Sequence, residues 1–396
     1  MPIPSPFHDR TAPLCESYQW KNWAGYHAAC RYLLNHEPEY HALRHAAALI
    51  DVTPLFKYEI RGKDSSRLIH RMMVRDHSRL RVGRVAYTCW CDDSGKVIDD
   101  GTVSRLDEHH YRITAAEPTF RWLEHLAGSL AVRIEDSSRK LAVLALQGPT
   151  SRALLQQLTG FDLSSLRYFC VTRADLEGIP VWISRTGYTG DLGYEIWTAT
   201  AHALRLWDCL IHTGTSYGLR PAGLDALDMV RIEAGYIMLE VDYYSAQKEI
   251  LESRKSTPYE LGLGWMVQLE RDLFVGQRAL RAEAERGAAW ALVGLDLSWE
   301  EIEARYEKHG LPPSLPATAS RHSLPVYSGD QQVGYATSHT WSPLLKKSIA
   351  LATVRAGSSN PLTHLKIEQT VEHERYRVSA RIVDLPFFDP ERKRKV

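Results

Sequence analysis

Apolar residues at Tyr40, Leu43, Ala46, Ala47 and Ile50 recur at helical spacing and predict a helix over residues 37–51. Asp51-Val52-Thr53 ends it, and Tyr58-Glu59-Ile60-Arg61-Gly62 reads as a strand entering a turn. Asp64 is placed to cap a helix over Ser65–Met73. Residues 85–91, 97–105 and 110–115 predict three strands, divided by the turn Asp92-Asp93-Ser94-Gly95 and by Asp107-Glu108. The apolar run 141–147 predicts another strand, stopped by Gly148-Pro149, with Thr150 as cap of the following helix. Strand, helix and strand are predicted at 169–176, 200–212 and 262–270, by way of the turn-rich segment Thr186–Gly193. Mixed strands and helices imply an α+β fold class.

Further on, residues 291–297 predict a strand, and Ser298-Trp299-Glu300-Glu301 reads as a capping box opening a helix to His309. Leu311–Pro325 holds Pro312, Pro313, Pro316 and Pro325 and reads as a connector. Segments 333–340, 348–354, 363–370 and 374–383 are strand-like, which predicts a small all-β C-terminal domain with its boundary near 275–290. No internal repeat is visible. The basic stretch Glu391–Val396 is expected to be a frayed, solvated end.

Composition narrows the function classes. At 396 residues, a prior of about 100–200 per domain predicts two or three domains. Lys+Arg and Asp+Glu are equal at 48 each, which argues against a general nucleic-acid binder. No apolar run approaches the roughly 18–20 residues of a membrane span, and Met1–His8 lacks the apolar core of a secretory signal. Cys15, Cys30, Cys89, Cys91, Cys170 and Cys209 form no CxxC pair and no disulfide framework, so inert thiols in a reducing cytoplasm are expected. Cys89-Trp90-Cys91 supplies two thiols only, short of a zinc site, and His109-His110 is expected in a surface loop; no metal is expected. No Walker loop, GxGxxG, HExxH or GxSxG occurs. The unusual feature is aromatic, with 11 Trp and 19 Tyr.

Four segments, in order, are specific: Val97-Ile98-Asp99-Asp100-Gly101; Ala145-Leu146-Gln147-Gly148-Pro149; Thr186-Gly187-Tyr188-Thr189-Gly190-Asp191-Leu192-Gly193-Tyr194-Glu195-Ile196; and Gly223 to Gly235 (GLDALDMVRIEAG). Together they resemble the glycine-cleavage T-protein (aminomethyltransferase) family of tetrahydrofolate-dependent one-carbon transferases. Phe274–Leu280 and Ser342-Pro343 with Ser348–Ala352 extend the likeness over nearly the whole chain, apart from an insertion near 298–320. The resemblance implies a three-domain ring around a central folate channel. Residues 1–285 would form two interleaved α+β domains, with roughly 53–137 the inserted one, and 286–396 the C-terminal barrel-like domain.

Folate chemistry gives these residues roles. A carboxylate accepts two hydrogens from the donor edge of a pterin in a bidentate fork. Glu195 is the family's match for that role. Tyr188 is expected to pack on the folate and Arg231 to face the channel or the folate's carboxylate tail. An aspartate beside the reacting nitrogens orients the cofactor and stabilises developing positive charge. Because neighbouring strand residues point to opposite faces, one of Asp99 and Asp100 takes this part, with Asp100 favoured and Asp99 in reserve. Tyr87, Trp20, Trp23, Tyr26 and Trp90 offer aromatic surface near the expected channel, Tyr87 toward the folate and Trp23, Tyr26 and Trp90 toward a methyl donor, as a sandwich for a methoxy-arene or a cage for a methylammonium. Lys57 is a candidate partner for a donor carboxylate.

The chain departs from true T-proteins on the side away from the pterin motifs. It has Asp51-Val52-Thr53-Pro54-Leu55-Phe56 where they carry Asp-Val-Ser-His-Met, Ala226-Leu227-Asp228 for Ala-Arg-Asp, and Tyr236–Tyr244 for a stretch ending Leu-Tyr-Gly. Retained folate with a changed donor points to a tetrahydrofolate-dependent demethylase giving 5-methyltetrahydrofolate. Ile196-Trp197 and Asp100-Gly101 look closest to the aromatic O-demethylase branch; N-demethylation and true aminomethyl transfer are the alternatives. A lipoyl carrier protein, a nucleic acid and a membrane are not expected as partners. A non-catalytic folate-binding relative that assists iron–sulfur assembly is disfavoured, because Asp272–Gln277 lacks the cysteine of that branch.

Overall fold

The run Ala46-Ala47-Ala48-Leu49-Ile50 does not continue the helix before it. The helix is Glu37–His45, the chain breaks at Ala46 (φ −137°, ψ −117°), and Ala47–Asp51 is a strand buried along four of its five residues. A strand covered on both faces has no polar alternation to mark it, so helical spacing accounts for its apolar residues equally well. The computed structural model describes residues 1–395 apart from Ala317.

Ala47–Asp51 lies inside a six-stranded sheet ordered Val171–Leu176, Ile179–Ser184, Gly193–Ala199, Leu141–Gln147, Ala47–Asp51, Leu219–Pro221. The first pairings are antiparallel and the last is parallel. Its core joins Leu49, Leu144, Leu146, Ile183 and Ile196 to Leu206, Trp207 and Leu210 of the helix Ala203–Gly214.

The chain between the neighbouring strands Ala47–Asp51 and Leu141–Gln147 builds a second, five-stranded sheet: Val85–Cys91, Val97–Asp107, His110–Ala115, Phe56–Arg61, Arg133–Asp136. Helices Ser65–Met72 and Phe120–Ala127 cover one face, packing Leu68, Ile69, Met72 and Leu123 on Tyr58, Ile60, Val103 and Ile113. Six more strands close a barrel, because Trp290–Leu297 pairs with both Lys347–Arg355 and Glu374–Val383. A small hairpin, Trp20–Trp23 with Tyr26–Ala29, completes the sheets.

The helix Leu224–Glu233 joins these bodies. Every residue from Ala226 to Glu233 is buried, against the helix Glu37–His45 on one side and the barrel strands Gln331–Ser342 and Lys347–Arg355 on the other. Among the described residues no helix is long and apolar enough to cross a membrane.

Other local expectations change. Residues 262–270 form no strand; Gly262 has φ +70° and Gly264–Met266 is a single 3-10 turn. Asp64 and Thr150 precede their helices without capping them. The Asp64 carboxylate accepts from the Ala131 amide and Arg67, and the Thr150 hydroxyl donates to the Tyr217 carbonyl. Ser298 does cap its helix, accepting from the Glu301 amide at 3.3 Å, but Glu301 accepts from Ser379 rather than closing the box. The short strands Ile179–Ser184, Arg133–Asp136 and Leu324–Ser328 carry too few residues for a period to register.

Two polar expectations are overturned. His110 is no loop residue: it opens the strand His110–Ala115, and its ring bonds Glu59, which also binds Arg112. Nor is the basic stretch frayed. Of its residues, Glu391–Lys393 forms a 3-10 turn, Lys393 is buried, and Arg392 binds Asp191; Val396 lies outside the described residues. A run of like charges reads as solvated only until its counter-charges, Asp191 and Asp389, are brought to it.

Candidate active site

The glycine-rich turn is wound on a single side chain. Gln147, at the end of its strand, donates from its amide to the carbonyls of Thr186 (3.2 Å) and Tyr194 (3.3 Å) and accepts from the Thr189 hydroxyl (2.8 Å). A Cβ at Gly187 or Gly193 would fall 2.0–2.3 Å from that amide, so any larger residue expels it. The motif Ala145–Pro149 therefore acts by supplying the spool for the turn Thr186–Gly193.

Just past the turn, Glu195 stands opposite Ser184 in the sheet. Its carboxylate accepts from the Thr186 hydroxyl at 2.8 Å and from Ser184 at 3.4 Å. Burial pushes its pKa up, and only those two hydroxyls oppose the shift; no charge balances it among the described residues. A half-buried carboxylate with spare acceptor capacity and no cation suits a ligand that presents N–H donors. Within the turn, Tyr188 donates its hydroxyl to the Ile237 carbonyl and stacks on Tyr236 at 5.6 Å between ring centroids.

The two aspartates take different cross-strand partners and differ in exposure, although the Tyr243 hydroxyl lies within reach of both. Asp100 pairs across the sheet with Cys89, and Asp99 with Trp90. Asp99 is sealed, its carboxylate taken by the amides of Asp100 (2.8 Å) and Glu117 (2.9 Å). Asp100 is half-buried and accepts from two phenols, Tyr87 at 2.7 Å and Tyr243. Tyr243 also approaches Asp99 at 3.5 Å. Burial raises the pKa of both carboxyls, and for Asp99 the neighbouring Asp100 charge raises it further. Burial raises the pKa of Tyr188, and the Asp100 charge raises it further.

Tyr243 is the residue that sequence reasoning missed. Its signal lay in the stretch Tyr236–Tyr244, where the chain departs from T-proteins, but only folding brings it against a strand 143 residues earlier.

Several predicted site residues lie elsewhere. Arg231 has no exposure; its guanidinium is spent on Asp228 (2.7 Å), Asp242 (2.6 Å), the Tyr236 carbonyl (3.1 Å) and Ser338 (2.7 Å). It fixes the helix to the barrel, with four of its five N–H donors taken and the side chain sealed from any open channel. Trp90 is in the core of the five-stranded body with no exposure, because it shares Asp99's face. Tyr26 is buried, whereas Trp23 remains partly open at the edge of the core that holds Trp197.

Lys57 also turns inward. Its amine donates to the carbonyls of Thr53 (2.6 Å) and Leu55 (2.7 Å), and burial lowers its pKa from 10.5 to about 7. Between these values the unfolded chain holds a proton the folded chain has shed, so stability rises with pH across that window. Wild type is therefore expected to gain thermal stability relative to Lys57→Met as pH rises from about 7 to about 10. Melting curves of both chains at the two pH values check this; a constant difference contradicts it.

Comparison with known proteins agrees with this fold. The GCVT N-terminal domain family matches residues 7–271, and the glycine cleavage T-protein C-terminal barrel domain family matches 310–389. An aminomethyltransferase from Anoxybacillus flavithermus is 34% identical over 357 residues, 88% of this chain and 89% of its own. A trimethylamine-oxide aldolase from Ruegeria pomeroyi is 34% identical over 403 residues, 98% of this chain but 47% of its own length. Among solved structures, the glycine cleavage system aminomethyltransferase T of Bartonella henselae superposes with a TM-score of 0.82 at 21% identity, over 98% of this chain and 99% of that one, which shows the fold. The chain belongs to the glycine-cleavage T-protein (aminomethyltransferase) family, whose members are tetrahydrofolate-dependent transferases.

Proposed function

We propose that this chain is a tetrahydrofolate-dependent demethylase, moving a methyl group from a small methylated donor to N5 of tetrahydrofolate, with an aromatic methyl ether such as a methoxybenzoate as the first donor. The observation that carries the reading is the group Asp100–Tyr87–Tyr243, a carboxyl and two phenols at one point. Glu195 holds the donor edge of the pterin, and Tyr188 packs against its ring. When bound, tetrahydrofolate supplies a nucleophilic nitrogen.

The transfer breaks the donor's methyl–oxygen bond, makes a methyl–nitrogen bond, and moves one proton from N5 to the departing oxygen. Asp100 receives a proton as carboxylate and faces the positive charge that builds at the attacking nitrogen. Tyr243 and Tyr87 return a proton to the leaving oxygen, which departs poorly as a phenolate. Holding the two reactants in line supplies much of the remaining acceleration. The donor is a free small molecule, and no lipoyl carrier takes part.

N-demethylation is the second reading. The alignment with the trimethylamine-oxide aldolase spans 98% of this chain, and Trp23 offers a partly open ring of the kind that binds methylammonium groups, whereas Trp182 and Trp197 already carry Arg173 and Arg112 over their rings. Incubation with tetrahydrofolate and parallel panels of methoxybenzoates and N-methylated glycines separates the two. The first reading predicts phenol formation from a methoxybenzoate; turnover of N-methyl donors alone moves the assignment to the second.

A further inference from the structure

The basic segment Glu391–Lys395, in the structure, is bolted to the turn that carries Tyr188. Arg392 grips Asp191 with two parallel hydrogen bonds, 2.7 Å from Nε and 2.8 Å from Nη2. Asp191 lies within Gly187–Gly193, and its side chain has no exposure. Its other cation, Arg44, stands 3.7 Å away and gives its closer bonds to Glu233, 2.6 and 2.8 Å. Arg185 donates to the Lys393 carbonyl at 3.1 Å, and Arg152 to the Lys395 carbonyl at 2.9 Å.

The segment touches the same turn from a second side. The Lys393 ammonium lies over the rings of Tyr236 (5.3 Å) and Tyr168 (5.8 Å), held by Asp389 at 3.4 Å. Tyr236 is the ring on which Tyr188 stacks. Both the loop end and the ring support of Tyr188 therefore depend on residues some two hundred positions away.

We propose that Arg392 and Lys393 are positioning residues for folate: the docked segment holds the turn and Tyr188 in the binding geometry, so docking and folate binding favour each other. This rests on the folate reading of Glu195 and Tyr188. Reciprocity is obligatory for coupled equilibria, since whatever the segment adds to folate affinity, folate adds to segment docking. Neither residue touches the reacting atoms.

Two measurements on the full chain test it. Trypsin cuts after Arg392, which Asp191 holds, or Lys393, which is buried, only when the segment lifts away, and intact mass records the loss. Saturating tetrahydrofolate, with binding verified by calorimetry, is expected to slow this clipping about tenfold, the scale of ordinary coupling between sites. Binding with an unchanged clipping rate overturns the proposal. Arg392→Gln and Lys393→Met are each expected to raise the tetrahydrofolate dissociation constant about tenfold and to leave the donor KM unchanged, with Arg392→Lys recovering part of the loss. Lower melting temperatures with unchanged folate affinity would mark a purely structural clamp and refute the coupling. A wild-type chain that binds no tetrahydrofolate overturns the folate reading and this proposal together, a result distinct from binding without coupling.

Discussion

Asp100→Asn is expected to lower methyl transfer to tetrahydrofolate by about 10²–10³-fold while leaving the fold and folate affinity nearly intact. The amide nearly matches the carboxylate in shape; Tyr87 and Tyr243 bond different carboxylate oxygens, so one phenol keeps an acceptor at the carbonyl oxygen and the other turns to accept from the new NH2. What disappears is the negative charge facing the attacking nitrogen and the site that takes its proton, both needed chiefly in the transition state. The signature is a fall in kcat with little change in the folate dissociation constant. Asp99→Asn is the informative control. Asp99 is sealed and accepts two backbone amides, so its loss should register in melting temperature more than in kcat. Full activity of Asp100→Asn would move the chemistry away from this carboxylate.

Glu195→Gln is expected to weaken tetrahydrofolate binding about 10–100-fold, the scale of a charge-assisted hydrogen bond to a carboxylate. The pH profile gives the same residue a second test. Burial raises the Glu195 pKa, and binding needs the ionised form. Wild-type affinity should therefore begin to fall on acidification at a higher pH than an ordinary glutamate would give. Glu195→Gln should abolish that component of the pH dependence. Calorimetric titrations of both chains across the acidic range decide it; equal affinities contradict the assignment of Glu195 to the pterin edge.

The contrast between Glu195 and Arg231 shows what a sequence yields here. Both stand in motifs that point to the family, and both are charges that folding buries. The setting of Glu195 is legible because it is built locally, by the glycine turn just before it and the strand it sits on, and its part at the pterin edge is what Glu195→Gln tests. Arg231 was misassigned because its partners come from three places: Asp228 one turn away, Asp242 beyond the helix, and Ser338 from the barrel. Strand period limits the channel-facing part to one of Asp99 and Asp100 without saying which, and only the fold, which sets Trp90 opposite the sealed Asp99, puts Trp90 in the core. Tyr243 and the Arg392–Asp191 pair were invisible, since contacts across 143 and 201 residues leave no mark in local spacing. The folding error at Ala46–Ile50 has the same root, because burial on both faces erases the alternation that distinguishes a strand.

Transfer of an isotopically labelled methyl group is the most direct test of the central claim. The chain is incubated with a methoxybenzoate bearing a ¹³C-methyl group and with tetrahydrofolate, and the folate product is read by carbon NMR. The account predicts the label on N5 as an intact methyl, together with one equivalent of the demethylated phenol. No labelled 5-methyltetrahydrofolate from this or any other O-, N- or S-methyl donor, despite demonstrated folate binding, would contradict it.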